Sequence, residues 1–122
     1  MAYKNPIGWF EIYVNDFEKA KEFYSNLFGW EFKLSKTPTY DYWNINTGEN
    51  SPGGGLMKKT KPSHDGQAIM LYIETDDIDS VLAKAAKIGG KIEIPKTRIS
   101  ETSGSYAIFR DADNNLMGLW SK

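Results

Sequence analysis

Cysteine is absent from this chain of 122 residues, and histidine occurs only once. The lack of cysteine excludes disulfide bonds, thiolate nucleophiles and cysteine-ligated metal sites. The one histidine, His64, stands in a polar stretch beside Asp65 and Gly66, a setting typical of a surface histidine. A single histidine cannot supply the ligand set of a catalytic zinc or a non-haem iron centre.

Long apolar runs and an excess of one charge are also missing. No stretch approaches the roughly 20 apolar residues that cross a bilayer, and no signal-peptide hydrophobic region is present. Acidic residues number 16 and basic residues 15, so no basic face for nucleic acid is expected. We therefore expect a cytoplasmic protein with neither a membrane nor a nucleic-acid partner.

What the sequence does contain is one pattern stated twice, 61 residues apart. The first copy runs through Ile12–Glu18 and closes at Gly29, and the second runs through Ile73–Asp79 and closes at Gly90. Each copy is a β-rich stretch ending in an Asn/Asp pair that opens an amphipathic helix stopped by glycine. At this length we expect one domain made of modules 1–60 and 67–122, joined by a polar linker, 61–66.

Hydrophobic periodicity within the two copies predicts the order βαβββ twice. We expect Asn15 and Asp76 to cap the two helices. Glycines after Pro52 lead into a short strand at Leu56 and indicate a sharp bend or the close approach of another backbone. The segment from 95 to 104 is expected to be a loop, a candidate lid or rim.

This order and its motifs resemble the vicinal oxygen chelate superfamily, which includes glyoxalases, bleomycin resistance proteins and extradiol dioxygenases. The resemblance covers nearly the whole chain. The stretches that carry it are Trp9–Ile12, Ala20–Tyr24, Leu27–Trp30, Thr75–Asp79 and the closing hairpin Asp111–Trp120.

The resemblance implies an α+β fold in which two tandem βαβββ modules form a curved, eight-stranded mixed sheet, a cup with the helices outside. In the enzymes of the family, metal ligands lie on the first and last strand of each module. Those positions fall here on Trp9, Met57, Met70 and Gly118. Indole offers no lone pair, glycine has no side chain, and thioethers are soft ligands. We therefore predict no bound metal and no cofactor.

Side chains that share a strand face with these positions should line the cup, because successive residues of a strand point to opposite faces. Gly118 would leave a void that a ligand could enter. The residues expected to bind a ligand are Trp9, Glu11, Tyr13, Trp43, Met57, Met70, Tyr72, Glu74, Arg110, Gly118 and Trp120.

Three functions fit this set. The first is a metal-independent, bleomycin-resistance-like protein that binds a small organic molecule in an aromatic, acidic cup. The second is an enzyme of lyase, isomerase or dioxygenase type with a rebuilt site. It would be either metal-free, with Glu11 or Glu74 as general base and Tyr13 or Tyr72 as donor, or metal-dependent through these carboxylates. The third is an interaction domain whose cup is filled by its own side chains. A homodimer is expected in all three, because open sheet edges favour association.

Overall fold

The computed structural model describes residues 5–59 and 67–122. The predicted linker, 61–66, and with it His64, lies outside the described residues. The described residues form two helices and eight strands in the order βαβββ followed by βαβββ, which confirms the predicted α+β class. Two compact units are present, Trp9–Met70 and a second that joins residues 5–8 to Leu71–Lys122. Two strands extend across these bounds, and each is described with the unit that contains most of its residues. They are called the first and the second unit.

The first unit is built on a four-stranded mixed sheet with strand order β2-β3-β4-β1. Strands β1 and β4 are parallel, while β2–β3 and β3–β4 are antiparallel. The elements are β1 (Ile7–Val14), α1 (Phe17–Phe28), β2 (Glu31–Lys36), β3 (Asp41–Asn46) and β4 (Gly53–Lys58).

The second unit repeats this plan with strand order β5-β8-β7-β6. Strands β5 and β8 are parallel, and the other two pairs are antiparallel. The elements are β5 (Ile69–Glu74), α2 (Ile78–Lys87), β6 (Lys91–Ser100), β7 (Gly104–Arg110) and β8 (Leu116–Ser121). Neither helix in the described ranges is long and apolar enough to span a membrane.

Both helices begin one residue later than the sequence predicted. The cap of α1 is Asp16 and not Asn15, because the Asp16 carboxylate accepts the Lys19 backbone N–H at 3.1 Å. The cap of α2 is Asp77 and not Asp76, and its carboxylate accepts the backbone N–H three residues on. The second residue of each pair is the one whose side chain reaches back to the third helical amide. The spacing of 61 residues is preserved in the correction.

The prediction that residues 95–104 form a loop is wrong. Strand β6 continues to Ser100 and pairs with β7, and only residues 101–103 form the turn before β7 begins. Pro95 is tolerated because β6 is an edge strand whose ladder shifts register on either side of the proline. This segment is therefore sheet and not a lid.

The helices of the two units differ in what they bury. Helix α2 contributes Ile78 and Leu82 to a core cluster with Ala107 and Leu119, and all four side chains are 4% exposed or less. Helix α1 has no buried residue. Its apolar side chains Phe23, Leu27 and Phe28 are 60%, 59% and 58% exposed.

Candidate functional site

Strand β4 opens with three consecutive glycines, and aromatic rings lie directly on their backbone. The Trp9 ring lies on Gly53, where an added Cβ would come within 3.0 Å of it. The Tyr42 ring lies on Gly55 so closely that no side chain larger than hydrogen fits there. The expected close approach is real, but rings and not another backbone make it. Strand β4 also begins at Gly53, three residues before the predicted Leu56.

These rings surround a buried carboxylate on β1. The Glu11 side chain is 7% exposed, and both of its oxygens accept a phenolic hydroxyl. Tyr13 donates to Oε1 at 2.5 Å and Tyr42 donates to Oε2 at 2.9 Å. The indole N–H of Trp9 donates in turn to the Tyr42 oxygen at 2.7 Å. We call these four residues the Glu11 network.

Burial and charge fix the protonation of Tyr42. Its removal from water raises the pKa of the phenol well above its usual range, and the charge of Glu11 and the hydrogen bond to it raise the pKa further. The hydrogen bond from Trp9 acts in the opposite direction but is outweighed. Tyr42 is therefore a neutral donor. Its hydrogen bond and that of Tyr13 offset much of the cost of burying the Glu11 carboxylate.

Tyr42 is not among the residues predicted from sequence, which include its neighbour Trp43. Adjacent strand residues point to opposite faces. The Trp43 ring lies under the Lys21 ammonium, 3.3 Å from the ring centroid, on the face that carries helix α1. On that same face the Phe10 ring lies over Gly54, 2.6 Å from an added Cβ. A signal for Tyr42 existed in the glycine run, since a side chain of another strand had to fill the space above Gly55.

The two methionines behave differently. Met57 is the ladder partner of Tyr13, shares its strand face and is half-buried. Met70 is 1% exposed.

In the second unit the predicted void beside Gly118 is filled. The Tyr72 ring lies against Gly118, its ladder partner, so closely that a Cβ there would collide with the ring. Glu74 packs in the same manner over Gly8, 2.5 Å from an added Cβ. The backbone N–H of Glu74 donates to the Pro6 carbonyl at 2.9 Å, which ties the segment 5–8 to the end of β5.

Arg110 and Trp120 have local partners within the second unit. The Arg110 Nε donates to Glu93 at 2.9 Å, and its Nη1 donates to the Asn114 carbonyl at 3.0 Å. The Trp120 indole N–H donates to the Ser103 carbonyl at 2.7 Å. Of the predicted ligand-binding residues, Trp9, Glu11 and Tyr13 are thus joined in one hydrogen-bonded group, whereas Trp43 lies on the opposite strand face.

The side chains present do not fit the divalent metal that the resemblance implies. At the four ligand positions, Trp9 donates its N–H to Tyr42, Gly118 is covered by Tyr72, and Met57 and Met70 are soft thioethers. Within residues 5–59 and 67–122, no group of three or more histidine, aspartate or glutamate side chains could hold a metal ion.

Comparison with known proteins gives a consistent result. A family model, Glyoxalase/Bleomycin resistance protein/Dioxygenase superfamily, matches residues 6–119. CFP32 of Mycobacterium bovis, whose name describes it as a glyoxylase, is 28% identical over 117 residues, which are 93% of this chain and 44% of CFP32. A glyoxylase-like domain-containing protein of Didymella fabae is 27% identical over 126 residues, covering 100% of this chain and 98% of the relative.

A solved structure agrees at the level of the fold. Methylmalonyl-CoA epimerase from Mycobacterium tuberculosis superposes with a TM-score of 0.71 at 15% identity, covering 94% of this chain and 86% of the epimerase. The likeness shows the fold alone. The present chain spans less than half the length of CFP32, its mycobacterial relative.

Proposed function

Because this chain belongs to the glyoxalase/bleomycin resistance protein/dioxygenase superfamily, we propose that it binds a small organic molecule at the Glu11 network without a resident divalent metal. The observation that carries the proposal is the hydrogen bond that the Trp9 indole donates to Tyr42. At this position, where the family places a metal ligand, the side chain donates a hydrogen bond that holds Tyr42 against the Glu11 carboxylate. A polar hydrogen-bonded group takes the place of a coordination sphere.

The composition of the network supports a flat organic ligand. Trp9 and Tyr42 are half-buried, so their rings offer apolar contact area and the polar groups between them fix orientation. Ligand pockets combine these features, an apolar wall and a few convergent polar groups. The solved structures of the same fold include methylmalonyl-CoA epimerases, so acyl-CoA thioesters belong among the ligands to be tested.

The first experiment separates metal from ligand. The protein is purified without a chelating tag, its metal content is measured, and Mn²⁺, Fe²⁺, Ni²⁺ and Zn²⁺ are titrated into it. We expect no stoichiometric metal, and we expect thermal stabilisation by at least one compound from a library of aromatic acids, amines and acyl-CoA thioesters. One tight metal per chain would contradict the proposal, and so would a library in which nothing stabilises the protein.

Variants then locate the binding site. Tyr42→Phe removes a donor to Glu11 and should weaken binding of the stabilising compound by about tenfold, as the loss of one hydrogen bond to a charged group predicts. Trp43→Phe is the matched control, because Trp43 lies on the opposite face of the same strand beneath Lys21. Equal losses from the two variants would place the ligand away from the Glu11 network.

A second candidate function, a metal-independent proton-transfer enzyme, is favoured by one observation. Glu11 is a buried carboxylate that accepts hydrogen bonds from two phenols, and a carboxylate within reach of a substrate proton can act as a general base. Glu74, the other candidate base, is half-buried and lies over Gly8. The test is solvent deuterium incorporation into an acyl-CoA thioester in D₂O. If Glu11 is the base, wild-type protein incorporates deuterium and Glu11→Gln does not, whereas a binding protein incorporates none.

A further inference from the structure

Strands β2 and β6 are the first and last in the strand order, and their outer edges are protected to different degrees. Strand β6 contains Pro95, and its ladder with β7 shifts register at three places. Strand β2 contains no proline and pairs with β3 without interruption from Glu31 to Lys36. Proline and bulges at an edge prevent another strand from adding to it. Of these two end strands, β2 is therefore the one that remains open to a further strand.

An exposed apolar surface adjoins this open edge. Trp30, the residue before β2, stacks on Tyr24 with ring centroids 5.3 Å apart and contacts Phe28 at 5.2 Å. Phe23 packs edge-on against Tyr24. Phe23 and Phe28 are 60% and 58% exposed. Contiguous apolar surface of this kind marks an interaction site more often than isolated exposed side chains do.

The sequence of β2 is complementary to itself. Antiparallel pairing with a second copy about a twofold axis through Phe32 places Phe32 opposite Phe32. Trp30, which precedes β2, then lies beside Leu34 of the second copy, on the same strand face as the aromatic surface. Glu31 lies opposite Lys33 of the second copy, and the symmetry repeats this pair. Opposite charges facing one another across a ladder stabilise it.

Neighbouring registers lack this complementarity. When a twofold axis perpendicular to the sheet relates two antiparallel strands, opposite side chains point to the same face only if the residue at the axis lies opposite itself. An axis through Lys33 sets Lys33 against itself, and like charges in that position destabilise the pair. An axis through Leu34 pairs no opposite charges. The register centred on Phe32 is the one in which charge and apolar contacts agree.

We propose that two copies of this chain associate through β2, antiparallel and centred on Phe32, to form an isologous dimer. The surface is separate from the Glu11 network, so its test is independent of the proposed function. Both charged partners are exposed on the isolated chain and are available to a second copy.

Charge reversal tests the register. Glu31→Lys and Lys33→Glu each replace two attractive pairs by two repulsive ones and should weaken dimerisation at least about tenfold in sedimentation velocity. The double variant E31K/K33E restores attraction and should return the dimer. Lys36→Glu is the control, because in this register only residues 31–33 of the two β2 strands pair, and Lys36 lies beyond them. A monomer at all concentrations overturns the proposal, and so does a dimer that the single reversals leave unchanged.

The cysteine-free chain allows a second test that does not depend on affinity. Directly opposite strand positions bring their Cβ atoms within about 4.5–5.5 Å, close to disulfide reach. The F32C variant should therefore oxidise to a covalent dimer, because position 32 faces itself. The L34C variant faces Trp30 and should remain uncrosslinked. Cross-linking of L34C as readily as F32C overturns the register.

Discussion

The two units repeat the same order of elements but bury different chemistry. The first unit surrounds the Glu11 carboxylate with hydrogen-bonding rings, and its helix α1 has no buried residue. The second unit packs Ile78 and Leu82 of its helix into an apolar cluster. The two copies therefore remove different kinds of side chain from water. The first unit buries the Glu11 carboxylate, and removing this charge from water lowers stability. The core cluster of the second unit consists of apolar side chains.

Residues related by the repeat make this difference specific. Glu11 and Tyr13 of the first copy correspond, 61 residues on, to Tyr72 and Glu74 of the second. In the first copy the carboxylate occupies the inner position and is buried. In the second copy the ring occupies it, lying on Gly118, and the carboxylate is half-buried nearer the strand end. Exchanging the order of two residues thus changes whether a strand buries a charge or a ring.

The largest effect should come from breaking the apolar core. Leu82→Ala removes a side chain that is 4% exposed and should lower the free energy of unfolding by about 2–5 kcal/mol. Leu27→Ala on α1 should cost about 0.5 kcal/mol or less, because Leu27 is 59% exposed. Urea denaturation monitored by circular dichroism measures both. Similar losses from the two variants would contradict the assignment of the helical core to the second unit.

A smaller loss is expected from filling the glycine strand. The added methyl group of Gly55→Ala would displace the Tyr42 ring, and this overpacking should lower the free energy of unfolding by about 1–3 kcal/mol. Gly54→Ala meets Phe10 on the opposite face and should cost a similar amount. Only Gly55→Ala should change the near-ultraviolet circular dichroism of the Glu11 network and weaken ligand binding. Identical spectral changes in both variants would show that the two faces are not independent.

The stability of the first unit should depend on pH through Tyr42. The folded first unit holds the Tyr42 proton more tightly than the unfolded chain does, since the pKa of Tyr42 is raised above its ordinary value of 10.0. The stability that depends on this proton is complete below pH 10 and is lost as the pH rises above it. Between pH 8 and pH 11 the melting temperature should fall less steeply for Tyr42→Phe than for wild type. Trp43→Phe, on the opposite face of the same strand, should keep the wild-type slope.

The smallest effect is one that the two units should share. Asp16→Ala and Asp77→Ala each remove a helix N-cap and should each cost about 1 kcal/mol. Replacement of Asn15 or Asp76, the residues expected from sequence, should cost measurably less. Chemical denaturation of the four variants tests whether the repeat is preserved in its caps although its interior has diverged.

Much of the fold could be predicted because each copy of the repeat is recognisable from patterns among residues close together in sequence. Strand alternation, helical periodicity and glycine stops gave the order of elements and grouped Trp9, Glu11 and Tyr13 on one face of β1. The errors arose where a neighbouring strand decides the outcome. Whether Tyr42 or Trp43 joins Glu11 depends on which face of β3 meets β1, and the sequence of β3 is aromatic on both faces. The end of β6 likewise depends on pairing with β7.

The glycines at the start of β4 determine how substitutions can change the site. Gly53 and Gly55 contribute no side-chain atoms, so the shape above them is set by rings from β1 and β3. A substitution at Trp9 or Tyr42 resizes the space while the backbone floor stays in place. Evolution or a designer can therefore alter which molecule is accepted through changes on adjacent strands, one ring at a time, without rebuilding the surface on which the rings rest.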